Sequence, residues 1–181
     1  MALDVAKAIS TAKQFIGKLE YAESQFNTKQ GFISRMTSLI LLVEDDMDHA
    51  ELVIRVMQEH QIANQVRHFQ DGQSALDYLF RREEFENPEV SPRPHVVLLD
   101  LHLSRMDGID VLRAIKECDE LKFIPVVMLS TSCARKDVAR AYHNHANSYL
   151  VKPLGYEEFR ELIKDFCFYW LGNNIRPKIQ K

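Results

Sequence analysis

Glycine is scarce in this chain of 181 residues, with only six present. None of them forms the close-set glycine run that wraps backbone amides around a nucleotide phosphate, which excludes a nucleotide hydrolase of that kind. Cysteine is scarcer still. Cys118, Cys133 and Cys167 form no Cys-x-x-Cys pair, and an odd set cannot pair completely. That pattern argues for reduced thiols in the cytoplasm, each behaving as a small hydrophobe. An excess of positive charge is also missing. The net charge is −3 and Lys and Arg are scattered, so there is no basic stripe for a nucleic acid. Apolar runs stay short, as in Leu39 to Val43, against the roughly 20 residues a membrane helix needs. The N-terminus lacks the basic, apolar, small-residue order of a secretory signal. Neither nucleic acid nor membrane is expected as a partner.

What remains is an ordinary globular composition, 46% hydrophobic and 27% charged, enough for one core and an extra segment. Residues 2–35 carry a helical stripe through Val5, Ile9, Ala12, Ile16, Leu19 and Phe26, with Gly31 near its end. Such a segment either packs as a bland extension or serves as an arm for dimerisation or docking. From residue 38 the pattern alternates. Short apolar runs end at Val43, Phe69, Leu99, Leu129 and Val151, and amphipathic stretches follow at 49–60, 74–82, 108–116, 135–144 and 157–171. Wholly apolar strands alternating with helices predict a parallel sheet covered on both faces. The expected organisation is a helical extension over 1–37, a doubly wound α/β domain over 38–174 and a tail over 175–181.

In such sheets ligands gather at the carboxyl ends of the strands. The first strand ends in Glu44-Asp45-Asp46, the third in Asp100, and the fourth in Ser130-Thr131-Ser132; Lys152-Pro153 follows the fifth. Clustered carboxylates repel unless a cation intervenes, and a hard divalent ion held by oxygens, such as Mg²⁺, suits them. An Asp carboxylate can attack phosphorus and form an acyl phosphate. A Lys ammonium and a Ser hydroxyl can then bind the phosphoryl oxygens from the other side. Asp46 and Asp107 read as helix-start residues. His49, His60, His68, His95, His143 and His145 have no metal-ligand spacing and read as surface or structural.

The segments "ILLVEDD", "VVLLDLHLSRMDG", "PVVMLSTS" and "NSYLVKP", in that order, resemble the receiver domain of response regulators over about residues 38 to 171. The resemblance implies a five-stranded sheet of order 2-1-3-4-5. It implies Asp100 as the phosphorylation site. Asp45 and Asp100 become direct Mg²⁺ ligands, with Glu44 acting through water and the backbone carbonyl of His102 completing the set. Ser130 becomes the switch hydroxyl, Tyr149 the aromatic that turns inward behind it, and Lys152 the phosphate-binding lysine. The bond to Pro153 is expected to be cis. Two residues depart from the family pattern. Ser104 replaces a frequent Pro, which leaves the loop after Asp100 freer. His145 replaces a Gly and costs about 1 kcal/mol if its φ is positive.

The chain ends shortly after the last helix, so no output domain is expected and the signal must pass through a binding surface. The proline-containing insertion over 83–94 and the ending "EEFRELIKDFCFYWLGNN" resemble the stand-alone regulators of bacterial and cyanobacterial phytochrome kinases. A sensor histidine kinase of that type is the implied partner. Phe168, Tyr169, Trp170 and Leu171 exceed what one helix face buries, and they suggest a homodimer through the last strand and helix. Two rival functions compete with this reading. One is a receiver-fold adaptor that accepts no phosphate. The other is a phosphatase with an Asp nucleophile, which needs a second carboxylate where His102 stands. Beyond handling its own phosphoryl group, the chain is not expected to be an enzyme.

Overall fold

The computed structural model describes residues 38–59 and 65–175. The expected N-terminal helix, the end of the first α/β helix at His60 and the tail from 176 onward lie outside the described residues. Five strands are present: β1 (Leu39–Val43), β2 (Gln65–Phe69), β3 (Val96–Asp100), β4 (Val126–Ser130) and β5 (Ser148–Val151). Five helices alternate with them: α1 (Met47–Glu59), α2 (Gly72–Phe80), α3 (Gly108–Glu117), α4 (Arg135–His143) and α5 (Tyr156–Cys167).

The strands form one parallel sheet of order β2-β1-β3-β4-β5. Every residue of β1, β3 and β4 is buried, as unbroken Leu, Ile and Val runs require when helices cover both faces. The two edge strands, β2 and β5, are only partly covered.

Several helix boundaries differ from the sequence expectation, and two of these have a clear local cause. α2 begins at Gly72 rather than Ser74, because the Asp71 carboxylate accepts a hydrogen bond from Ser74 N at 2.8 Å and caps the helix. α5 ends at Cys167, and a wider π-helical turn over Phe168–Asn173 follows. That turn buries Leu171 while Tyr169 stands exposed.

The insertion between α2 and β3 is tied down. Phe69, Tyr78 and Phe85 meet at ring distances of 5.4 to 5.9 Å. Ser91 is buried and donates to the carbonyls of Phe85 and Asn87. His145 has φ 65°, so the position does require the left-handed conformation that favours glycine.

Candidate functional site

All five parallel strands point their carboxyl ends the same way, so the polar residues that end β1, β3, β4 and β5 share one edge. Glu44 is 1% exposed, and its backbone amide continues the β1–β2 ladder by donating to Phe69 O. Asp100 closes β3 and is buried. Lys152 follows β5, and its amide donates to Ser130 O at 2.8 Å. Its buried ammonium gathers the other two residues. Nζ lies 2.6 Å from Glu44 Oε2 and 3.2 Å from Asp100 Oδ1. Burial pushes the Glu44 carboxyl above the usual carboxylate range, and the bond and charge of Lys152 draw it only partly back.

Asp45 is half-buried, and its Oδ2 accepts from Ser104 N at 2.9 Å. A proline at position 104 would have no N–H to give. The departure from the family pattern therefore ties the loop after Asp100 to Asp45 instead of freeing it. On the other side, His102 N donates to Asp100 Oδ2 at 3.0 Å. One oxygen each from Glu44, Asp45 and Asp100 lie within 4.8 Å of one another. This is a hard, all-oxygen donor set, and it fits a divalent ion such as Mg²⁺ or Mn²⁺. The cavity holds about 370 Å³ and is open to solvent, with Asp46, His49, His102 and Thr131 completing its lining.

The remaining expected residues fall into three groups. Asp46 and Asp107 cap helices as expected. Asp46 Oδ1 accepts from Asp48 N and His49 N, and Asp107 Oδ1 accepts from Ile109 N at 2.9 Å. Gly108 beside it is obligatory, since a Cβ there would lie 2.1 Å from Asp100 O. Ser130 is fully buried and does not line the cavity; the hydroxyl lining it from this loop belongs to Thr131. Ser130 Oγ instead accepts from Ser132 N at 3.1 Å, and the half-buried Tyr149 donates its hydroxyl to Ser132 O at 2.8 Å. The expected cis bond before Pro153 is a correction. No cis peptide occurs among the described residues, so Lys152–Pro153 is trans, the isomer that X–Pro bonds intrinsically favour.

His49, expected to be surface or structural, is 42% exposed and lines the rim of the cavity. Its Nδ1 lies 3.4 Å from Lys152 Nζ and 3.6 Å from both Glu44 Oε1 and Asp46 Oδ2. The available signal was its place in the first turn of α1, which starts at the functional edge of the sheet.

A family model described as the response regulator receiver domain matches residues 40–164. Among named relatives, the Probable methanogenesis regulatory protein FilR2 of Methanothrix harundinacea (strain 6Ac) is 43% identical over 139 residues, 77% of this chain and 87% of that protein. The crystal structure of the phosphorylated cyanobacterial phytochrome response regulator RcpA superposes with a TM-score of 0.74 at 33% identity. It covers 79% of this chain and 100% of its own. The Mn²⁺-bound form of response regulator Rcp1 gives a TM-score of 0.71 at 36% identity, covering 77% and 99%.

Proposed function

The chain belongs to the response regulator receiver family, and we propose that Asp100 is the residue on which it accepts a phosphoryl group from a histidine kinase. The observation that carries this assignment is the convergence on Asp100. The Lys152 ammonium sits 3.2 Å from its Oδ1, and two further carboxylates, Glu44 and Asp45, bring oxygens within 4.8 Å. In the transfer, an Asp100 oxygen forms a bond to phosphorus as the bond from phosphorus to the kinase's phosphohistidine nitrogen breaks. Water later cleaves the acyl phosphate, returning the carboxylate and inorganic phosphate. Lys152 and the Ser130 hydroxyl serve as donors to the phosphoryl oxygens, and Tyr149 follows Ser130. The protein contributes position and charge more than covalent chemistry.

Glu44, Asp45 and Asp100, with the backbone carbonyl of His102, would hold Mg²⁺. When bound, that ion supplies positive charge that lets an anionic phosphate approach an anionic carboxylate. The Mn²⁺-bound form of the similar Rcp1 supports a divalent cation at this edge. The likeness to RcpA, a phytochrome response regulator, supports a phytochrome-type kinase as the donor. The three unpaired cysteines support a cytoplasmic setting. Among the described residues no helix is long and apolar enough to cross a membrane. Residues 1–37 are assigned to an extension, 38–174 to the receiver and 175–181 to a tail. Val151, Leu154 and Tyr156 are exposed on β5 and the turn leading into α5, and they support self-association through that face.

Incubation with acetyl phosphate and Mg²⁺ tests the assignment. The wild-type chain should gain one phosphoryl mass, which is lost with hydroxylamine, and Asp100→Asn should gain none. A wild-type chain that gains no mass would instead be a receiver-fold adaptor.

A further inference from the structure

Four charged side chains are buried among the described residues: Glu44, Asp100, Lys152 and Asp137. The first three belong to the site. Asp137 does not, and the chemistry above makes no use of it. It lies in the first turn of α4, where the helix dipole favours a carboxylate. Its partner is Ser132, whose Oγ–H donates to Asp137 Oδ2 at 2.6 Å, the length of a charge-assisted hydrogen bond.

Ser132 is engaged at every polar atom. Its amide donates to Ser130 Oγ at 3.1 Å, its carbonyl accepts from the Tyr149 hydroxyl at 2.8 Å, and its Oγ also accepts from Ala134 N at 3.3 Å. The amide occupies a lone pair of Ser130 Oγ and leaves the Ser130 proton free to donate. The direction of that O–H therefore depends on where Ser132 is held, and Asp137 holds it. Ser130 and Tyr149 make no hydrogen bond to each other but share this single residue.

We propose that Asp137 is a positioning residue. Through Ser132 it sets the Ser130 hydroxyl for the phosphoryl group and couples Ser130 to Tyr149. This rests on the assignment of Asp100 as phospho-acceptor. Without the Asp137 carboxylate, the loop over 131–134 keeps its backbone bonds to α4 at Ala134 O but loses the side-chain anchor on Ser132, and Ser130 is no longer preset toward an incoming oxyanion. The acidic cluster on β1 and β3 is untouched by the change, so cation binding and oxyanion binding should separate.

Calorimetric titration of the full chain with Mg²⁺, and then with beryllofluoride in saturating Mg²⁺, reads both. Asp137→Ala should bind beryllofluoride roughly fivefold more weakly, the scale on which two linked sites affect each other, with Mg²⁺ affinity unchanged. Asp137→Asn keeps an acceptor oxygen for Ser132 and should stay near wild type. Ser132→Ala removes the same bond from the other side, and combining it with Asp137→Ala should add no further loss. The inference is overturned if Asp137→Ala matches wild type, if Mg²⁺ affinity falls in parallel, or if the two losses add. A wild-type chain that fails to bind beryllofluoride overturns the Asp100 assignment itself, and this inference with it.

Discussion

Cys133 stands exposed on the loop after β4, whereas Cys167 is buried at the end of α5, where burial pushes its thiol up to about 12. The thiolate is the reactive form. At pH 8 a maleimide should therefore label Cys133 within minutes and reach Cys167 only when the fold opens. Mass spectrometry of timed samples checks this, and early labelling of Cys167 would contradict it. The pH sign follows from the same shift. The folded value lies above the unfolded 9.0, so the group's contribution to stability holds below pH 9 and is lost as pH rises toward 12. Sequence alone separated site residues from others only where they end strands. Glu44, Asp45, Asp100 and Lys152 were legible because each ends a strand or follows one within two residues. The contacts of His49 and Asp137 were not, because they depend on which way the first turns of α1 and α4 face. Ser104 was misjudged for a different reason: the value of its amide appears only once Asp45 is seen across the loop.

Among the elements, α3 has the most constrained start. Asp107 caps it through Ile109 N and also accepts from Arg140 Nη2 of α4 at 2.8 Å. Asp107→Ala should cost about 1 kcal/mol through the lost cap. Arg140→Ala removes only a solvent-screened surface ion pair and should cost less than Asp107→Ala. Urea unfolding of the two variants checks the order, and a larger loss from Arg140→Ala would reverse the assignment. Strand positions were legible to within a residue or two, most directly for β1, β3 and β4, whose full coverage shows as nearly unbroken apolar runs. Helix ends were less so. The start of α2 is set by a side-chain cap and the end of α5 by a π-turn, and periodicity records neither.

For the molecule as a whole, five strand–helix units were legible from periodicity, whereas the order 2-1-3-4-5 came only from the family resemblance. Periodicity states which faces are apolar but not which strands are neighbours. Self-association belongs to this scale. Leu154 is fully exposed between β5 and α5, with Val151 and Tyr156 close in sequence. Light scattering should show a dimer mass at high protein concentration, and Leu154→Asp should reduce it to a monomer mass with the circular dichroism unchanged. A wild-type chain that stays monomeric throughout would exclude this face as a self-association surface.

Mechanically, the two walls that flank Asp100 differ in compliance. On the α3 side Gly108 is in such close contact that a single added carbon would lie 2.1 Å from Asp100 O, and its own amide is bonded to Leu101 O. Steric repulsion there is steep and gives no room to move. On the β4 side the chain is held by hydrogen bonds between Ser132 and each of Ser130, Asp137 and Tyr149, each worth about 1 to 3 kcal/mol net and able to exchange partners. A bulky anion arriving between a stiff wall and a yielding one displaces the yielding one. Whatever senses the change has to rest its weight on α4 and β5.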